Sequence, residues 1–447
     1  MAWEEVAERV LNNVLERDAV GDLIIDEGES LSLSAQEGEL DEYKISSSQV
    51  FGIRVIKDNK IGTAYSEASD DEALVTMLDQ ALTNASYAAE DEHETIQNIK
   101  NTLSTDDDFF CPEDSSTVEE KIDTILSMES ALLEQKNIKN VPYNGIQSGK
   151  GSRYLFSTSG LTARSSAKSS VCYAHALMED GEYNVMEGSG QTSRVFREIN
   201  SNQLIEEIYQ RCSDILRGKP VESKRYDVIF DEECQPDLFG VFASMFSGKS
   251  AKDGVNPMKD KIGEQIADQR LEILDSPLLS EGFGYTLFDA EGAATKELAL
   301  IQNGELKTFL HNSATASYFD TATTANGTRG PRSTLGVGIH QLVIQTGNAK
   351  TEELQAGEYL EITDLTGLHS GANAISGNFS FGAAGFLCKD GERVQPVRQI
   401  TVAGNFFEML KQIRLIGGQQ HWNWSRSCLM PSIRFSDVAI SGYHTRD

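Results

Sequence analysis

Apolar residues recur at helical spacing at the start of the chain and then alternate with polar residues. Within residues 2–18 the apolar positions follow each other at intervals typical of one helix face: Trp3, Val6, Val10, Leu11, Val14 and Leu15. This spacing predicts an amphipathic helix. Extended patterns over 22–35 and 50–66 predict strands, and the Asp58-Asn59 pair inside the second predicts a hairpin turn.

Two further helices are predicted from their N-terminal capping residues. The run at 69–72, Ser-Asp-Asp-Glu, has the form of a capping box and predicts a helix that ends near Ala89. Ser116 and Glu119 precede an apolar run and predict a second helix start. The acidic stretch 90–114 between them predicts a solvated loop.

The rest of the chain is dominated by strand patterns. Extended segments fill the region from about 138 to 195, and a helix is predicted near 202–216. The segment RYDVIFDEE that follows has the β-branched and aromatic centre of a buried strand. Further on, Asn303-Gly304 between two apolar runs is typical of a hairpin.

These elements predict an α+β fold with two domains. The first, residues 1–219, is an N-terminal α/β domain that is acidic in its first part, 1–130. The second, residues 220–447, is a strand-rich and largely antiparallel C-terminal domain. The boundary is placed at Lys219-Pro220, between the predicted helix and the RYDVIFDEE strand.

The charge of the chain is strongly negative and unevenly distributed. The net charge is −30, and residues 1–130 carry 32 acidic and only 8 basic residues. Binding to a phosphate backbone normally depends on Lys and Arg that displace counterions, so direct nucleic-acid binding is not expected. The acidity either serves solubility or offers a face for a basic partner.

The sequence carries no signal for secretion or membrane insertion. The predicted first helix has Glu4, Glu5 and Glu8 where a secretory signal would be positively charged and then apolar. No window approaches the run of ~18 apolar residues that a membrane span requires. The six cysteines are scattered without a C-x-x-C pair, which suits free thiols. We therefore expect a cytoplasmic protein.

The histidines form no local metal-binding motif. None of the seven lies within five residues of another, so the chain has no H-E-x-x-H pair. A site assembled from distant residues, such as His311, His369 and Cys428, stays open. The run 367–371, Gly-Leu-His-Ser-Gly, lacks the spacing of a serine-hydrolase elbow, which places one residue between the serine and each glycine.

The most unusual segment, residues 367–392, is dense in Gly, Ser and Asn. It has the sequence GLHSGANAISGNFSFGAAGFLCKDGE and lies between two strand-like runs. Glycine lets another backbone approach closely, and Ser and Asn can form hydrogen bonds with peptide groups. The segment therefore suits the binding of an extended peptide beside a sheet edge. A structural loop with several positive φ angles is the alternative.

In this segment the sequence resembles the TldD/PmbA family, which is named for modulators of DNA gyrase and for peptide maturation. The matching residues are His369-Ser370-Gly371, Asn373, Ser376-Gly377-Asn378-Phe379-Ser380, Gly385 and Asp390-Gly391-Glu392. Residues 396–417 and 303–330 are also similar to runs of this family. The resemblance spans the chain, strongly from about residue 225.

What the resemblance implies depends on one helix. Family members like TldD carry a zinc-binding H-E-x-x-x-H helix just after the first strand of the C-terminal domain, where the metal activates water and polarises a peptide carbonyl. Here the corresponding positions hold Gly240 and Met245, and no histidine occurs between His175 and His311. The chain therefore resembles the PmbA (TldE) branch, which lacks this zinc site.

The resemblance implies a heteromer in which a TldD-like subunit supplies the zinc and this chain supplies structure and peptide contacts. No cofactor, metal ligand or catalytic residue is then expected in this chain, and the substrates are unfolded peptides or leader peptides. The candidates for contact with a peptide or partner are His369, Ser370, Gly371, Asn373, Ser376, Gly377, Asn378 and Ser380.

Two alternatives stay open. One is a stand-alone peptide-binding or regulatory protein, for example a homodimer. The other is an independent hydrolase with an unrecognised site around His369, Ser370 and Cys388.

Overall fold

The chain folds around two large β-sheets, one from each half of the sequence. The computed structural model describes residues 3–443, so Ala2 of the predicted first helix and residues 444–447 of the predicted second domain lie outside it. Helices account for 22% and strands for 43% of the residues, in largely antiparallel sheets, which confirms the α+β class. Within the described chain, no helix is both long and apolar enough to cross a membrane.

The first sheet is built from long strands of the first half. In chain order this half contains α1 (Glu4–Glu16), β1 (Val20–Gln36), β2 (Glu39–Lys57), β3 (Lys60–Ser66), α2 (Asp71–Tyr87), β4 (Thr102–Ser104), α3 (Asp107–Phe110), α4 (Val118–Leu133), β5 (Ile138–Ser157), β6 (Thr162–Asp180), β7 (Tyr183–Ser193) and α5 (Ser201–Ile215). The strands lie in the order β3-β2-β1-β5-β6-β4, and β7 also pairs with β6. All pairs except β4 with β6 are antiparallel.

The second half forms a ten-stranded sheet and several short helices. In chain order it contains β8 (Lys224–Phe230), α6 (Cys234–Val241), α7 (Gly248–Lys252), β9 (Ile273–Asp275), β10 (Leu298–Gln302), β11 (Glu305–Leu306), α8 (Ser313–Tyr318), β12 (Gly327–Thr328), β13 (Gly336–Val337), β14 (Leu342–Ile344), α9 (Thr351–Leu354), β15 (Glu358–Thr366), β16 (Asn378–Lys389), β17 (Glu392–Asn405), α10 (Phe406–Met409), β18 (Ile413–Trp422) and β19 (Cys428–Ser441). Because β8 pairs with both β15 and β19, the strands β8, β15, β16, β17 and β19 close into a ring.

Helices cover one face of the first sheet at both ends. Leu23 of β1 packs in a core with α1 and α2, whereas Leu31, on the same face of the strand, packs in a core with α4 and α5. Successive side chains of a strand alternate between faces, so Ile24 points the other way, where it belongs to a buried cluster that includes Phe288 of the second half.

Buried ion pairs join the two halves. Arg54 of β2 is only 1% exposed, and its Nε donates to Asp22 of β1 at 2.9 Å. Its Nη2 also lies 3.5 Å from Glu291 of the second half. Arg329, from the same half as Glu291, pairs with the other oxygen of Asp22. The first sheet is therefore attached to the second half by charges that water does not reach.

The structure confirms the two predicted hairpin turns. Asp58 and Asn59 have φ of 52° and 58° between β2 and β3, and Asn303 and Gly304 have φ of 52° and 73° between β10 and β11. Two consecutive positive φ angles are the requirement of a type I′ turn.

The capping residues differ from prediction by one position. The box expected at Ser116 and Glu119 is formed by Thr117 and Glu120 instead: the Thr117 hydroxyl accepts from the Glu120 amide at 3.1 Å, and the Glu120 carboxylate accepts from the Thr117 amide at 2.8 Å. In the run at 69–72 the cap is Asp70, which accepts from the Ala73 amide, and α2 ends at Tyr87.

The acidic stretch 90–114 is not wholly a solvated loop. It contains β4, which extends the first sheet, and α3, which ends in a buried Phe110. The Phe110 ring stacks on Tyr285 of the second half, with ring centroids 5.1 Å apart. A distant aromatic partner therefore orders a segment whose own composition favours a loop.

Candidate functional site

The first element of the site is the short helix that follows β8. Asp231, the residue after the strand, accepts hydrogen bonds from the amides of Glu233 and Cys234 at 3.1 and 2.8 Å, so its carboxylate caps the start of α6. The helix ends after Val241, and a 3₁₀ turn, Ala243–Phe246, follows it. The buried side chains of this stretch include three aromatic rings, Phe239, Phe242 and Phe246.

Aromatic side chains pack this helix against the second element of the site. Phe242 is fully buried, and its ring stacks on Phe406 with centroids 4.5 Å apart. Phe239 contacts the same ring edge-on at 5.1 Å, and Phe379 of β16 lies 6.2 Å from Phe242. The segment of α6 and its C-terminal end, the start of β16 and the start of α10 therefore share one core.

The second element is the polar hairpin, residues 367–380, which connects β15 to β16. Its turns are held by backbone contacts: the Gly371 amide donates to Gly367 at 2.8 Å and the Ser380 amide to Gly371 at 2.7 Å. The Asn373 side chain accepts from the amides of Ile375 and Ser376, both at 3.0 Å. Gly367 and Gly377 have φ of 80° and 81°, which glycine adopts without strain.

Asn405 at the end of β17 anchors the tip of the polar hairpin. Its Nδ2 donates to the Ser376 carbonyl at 2.7 Å and to the Asn378 side chain at 2.9 Å. Of the eight predicted contact residues, Gly377 is buried, Gly371 is partly buried, and the others are exposed: His369, Ser370, Asn373, Ser376, Asn378 and Ser380. The prediction did not include Ile375, whose apolar side chain is 57% exposed beside the polar residues of the hairpin.

The structure does not bring Cys388 together with His369 and Ser370. Cys388 pairs with Tyr359 near the start of β15, whereas His369 follows the end of that strand. Roughly 20 Å of extended chain separate the two ends. Burial raises the pKa of the Cys388 thiol to about 11, so it carries no thiolate at neutral pH. The three residues form no catalytic group.

The residues after β8 do not fit a zinc ion. Gly240 is exposed and has no side chain, whereas Met245 is buried in the aromatic core and offers only a thioether. Zinc in proteins is bound by thiolate, imidazole or carboxylate groups that converge on one point. Among residues 3–443, no three His, Cys, Asp or Glu side chains lie close enough to hold a metal ion. The alternative with His311, His369 and Cys428 has no geometric support, because the buried His311 ring instead contacts Thr315 at 3.1 Å.

Carboxylates from both halves collect beside α6. We call this group the α6 acidic cluster: Glu187, Asp231, Glu233, Asp237 and Asp364. Arg211 of α5 lies 3.8 Å from Glu187 and 3.9 Å from Asp231. Burial raises the pKa of Glu187 to about 7 and that of Asp231 to about 6. Arg211 and the nearby Arg398 thus face more carboxylates than they can neutralise.

The α6 acidic cluster predicts a pH-dependent stability. Burial, and further the nearby Asp231 carboxylate, raise the pKa of Glu233 to about 8 from a usual 4.5. The folded protein therefore holds a proton that the unfolded chain releases, so stability should fall as pH rises from about 4.5 to about 8. We expect Glu233→Gln to flatten this dependence, because glutamine does not titrate. Its amide oxygen can still accept the hydrogen bond that the Trp424 amide donates to Glu233 at 2.7 Å.

Urea unfolding midpoints measured between about pH 5 and about pH 8.5 check this result. The same substitution at the exposed Glu90 should leave the slope unchanged. An unchanged slope in Glu233→Gln would mean that this carboxyl group is ionised in the folded protein.

Comparison with known proteins places this arrangement in a family. The chain belongs to the PmbA/TldD family: models of the PmbA/TldA metallopeptidase domain 1, central domain and C-terminal domain match residues 21–85, 111–217 and 223–442. Together they extend over most of both halves, which confirms the predicted family.

Individual relatives match nearly the whole length of this chain. The chain is 25% identical to the metalloprotease PmbA of Escherichia coli O157:H7, over 99% of this chain and 97% of that protein. A proposed modulator of a DNA gyrase from Thermotoga maritima is 25% identical and superposes with a TM-score of 0.85, covering 98% of this chain and 100% of that one. TldE from Thermococcus kodakarensis has the same fold, with 21% identity, a TM-score of 0.83, and coverage of 98% and 100%.

Proposed function

We propose that this chain is the zinc-free partner subunit of a two-subunit metallopeptidase. The observation that carries the proposal is the segment after β8, where the family resemblance places the zinc ligands. In this chain that segment presents a glycine and a buried methionine, and its inward side chains form an aromatic core with Phe379 and Phe406. This chain thus has the fold of the family without the groups that bind zinc. A zinc-bearing subunit of the same family would supply the metal.

The polar hairpin supports a contact role for this subunit. Its exposed hydroxyl and amide groups can form hydrogen bonds with an extended peptide or with a partner's loop. Its backbone is fixed by Asn373 and Asn405, so it loses little freedom on binding. A rigid polar loop with an exposed isoleucine at its tip suits a protein interface better than a solvated turn.

A mixing experiment tests the proposal. The purified chain alone is expected to hydrolyse no peptide, and activity should appear when it is combined with a family member that carries H-E-x-x-x-H. Full activity of the zinc-bearing subunit in the absence of this chain would overturn the proposal. A homodimer that binds peptides but leaves that activity unchanged would favour the stand-alone regulatory protein.

Zinc content provides a second test of the same proposal. After dialysis against a weak chelator, we expect no bound zinc in the isolated chain and zinc in the mixed complex. A stoichiometric amount in the isolated chain would show that distant residues build a metal site.

The hairpin tip should contribute to assembly with the zinc-bearing subunit. We expect Ile375→Asp to weaken association by about tenfold or more, because a charge replaces an apolar side chain at the contact. The matched control is Val394→Asp on β17, since Val394 is 54% exposed and Ile375 is 57% exposed. Isothermal titration measures the affinity of each variant for the zinc-bearing subunit. Equal affinities for the two variants would exclude the tip from the interface.

A further inference from the structure

A pocket of about 530 Å³ lies where the first sheet meets the loops of the second half. We call it the junction pocket, and the side chains that matter most for its chemistry are Phe110, Lys150, Lys168, Arg194, Phe283 and Tyr285. The residues that line it include none from α6 or the polar hairpin. It is therefore separate from the candidate site described above.

Aromatic rings form one part of the junction pocket. Phe110 and Tyr285 stack with centroids 5.1 Å apart and planes inclined by 8°. Phe283 also lines the pocket, and both Phe283 and Tyr285 are partly exposed. A large apolar side chain of a ligand can pack on such rings, and the rings themselves lose little conformational freedom when it binds.

The charge of the lining is opposite to that of the chain. The protein carries a net charge of −30, yet the charged residues of the junction pocket are three cations, Lys150, Lys168 and Arg194, and one acid, Glu29. Lysine and arginine are in the minority elsewhere on this surface, so a positive pocket is a local feature that selects anions.

Arg194 is fixed in position but has no counter-ion. Its guanidinium lies over the rings of Phe109 and Phe283, at 4.9 and 4.7 Å from their centroids. One nitrogen, Nη2, donates to the Gly282 carbonyl at 3.2 Å. Within residues 3–443, no carboxylate pairs with this side chain, and the bond to Gly282 is its only hydrogen bond. Burial and the nearby Arg426 lower the pKa of Arg194, as expected for an uncompensated cation.

We propose that the junction pocket binds the free C-terminal carboxylate of a peptide that ends in an aromatic or large aliphatic residue. The carboxylate would pair with Arg194, whose planar guanidinium can donate two parallel hydrogen bonds. The last side chain would lie against the partly exposed rings of Phe283 and Tyr285. A C-terminal residue of this kind carries its charge and its apolar group on one Cα atom, whereas Asp and Glu side chains carry no apolar group beside the charge.

This inference rests on the proposed function for the peptide nature of the ligand. It adds that the subunit recognises a chain end, and so favours short or unfolded peptides over internal loops of folded proteins. The pocket would hold the end of the peptide while the remainder extends away from the first sheet.

Binding of labelled peptides to the intact chain alone tests the inference. The probe is a hexapeptide that ends in phenylalanine, with a dye at its N-terminus, measured by fluorescence anisotropy. The free acid should bind about tenfold or more tightly than the C-terminal amide, because the amide removes a charge-assisted pair. A third peptide, amidated and ending in glutamate, should bind as weakly as the phenylalanine amide.

Variants assign the preference to one residue. Arg194→Gln should abolish the difference between acid and amide, whereas Arg194→Lys, which keeps the charge, should retain part of it. Arg197→Gln is the matched control, because Arg197 is 53% exposed and pairs with Glu120 outside the pocket. Circular dichroism of each variant confirms folding.

Equal binding of acid and amide, or an unchanged preference in Arg194→Gln, would overturn the inference. Strong binding of the glutamate amide would move the recognition to acidic side chains and also contradict it. Because no zinc-bearing subunit is present, these results are independent of the mixing experiment. Activity on mixing without a carboxylate preference would refute only the inference, and the reverse result would refute only the proposed function.

Discussion

Replacement of Arg54 by methionine is expected to lower the free energy of unfolding by about 3 kcal/mol or more. Removal of one member of a buried ion pair leaves the other charge without compensation in a site that water does not reach. Among residues 3–443, the substitution would deprive Asp22 of one of its two arginines and Glu291 of the one arginine that pairs with it. Urea unfolding followed by circular dichroism measures the change.

A surface arginine provides the control for this prediction. Arg9 pairs with Asp71, but both side chains are more than half exposed, at 58% and 78%. Exposed pairs contribute about 0–1 kcal/mol, so Arg9→Met should change stability little. If Arg54→Met were as mild as Arg9→Met, the buried network would not hold the two halves together.

Replacement of Phe242 by alanine is expected to cost about 3–5 kcal/mol of stability. Truncation of a fully buried aromatic ring removes its burial energy and leaves a cavity that the surrounding core fills only in part. Phe242 lies between Phe406 and Phe379, so the loss should also loosen the polar hairpin. Hydrogen exchange should increase at the Gly371 and Ser380 amides.

The neighbouring Phe407 gives a graded comparison. Its ring contacts Phe242 at 6.0 Å but is only half-buried, so Phe407→Ala should cost less than half as much. Equal losses in the two variants, or faster exchange throughout the second half, would mean that the ring stack does not specifically support the hairpin.

Features determined by neighbours in sequence were predictable. The Asp58-Asn59 and Asn303-Gly304 turns depend on backbone conformations that these residue types favour locally. The helix that begins after Thr117 was located within one residue, because serine at 116 and threonine at 117 have similar capping capacity. Such elements need no knowledge of the tertiary fold.

Features that depend on distant contacts were not predictable. Phe110 is buried because Tyr285 covers it, and the acidic residues around it concealed this pairing. In the sequence, nothing distinguishes Gly52 from other residues of a strand. In the structure, a Cβ at this position would lie 2.1 Å from the Pro331 carbonyl oxygen. Close approach between two halves of a chain leaves no periodic pattern in either half.

The candidate site shows the same division. The residues of the polar hairpin are adjacent in sequence, so their proximity required no tertiary information. The support from Asn405 and the burial of Phe242 beneath the hairpin became visible only with the strands in place. Whether the eight predicted residues contact a peptide or a partner stays a prediction.

The closed ring in the second half has a consequence for biosynthesis. β8 is the first strand of that half, and it pairs with β19, the last strand in the described chain. The ring can therefore close only after β19 has left the exit tunnel of the ribosome. Until then, the edge of β8 that pairs with β19 stays unpaired. The first sheet, complete by Ser193, can form much earlier. We expect this protein to depend on chaperones until β19 emerges, because the β8 edge is exposed to other nascent chains in that interval.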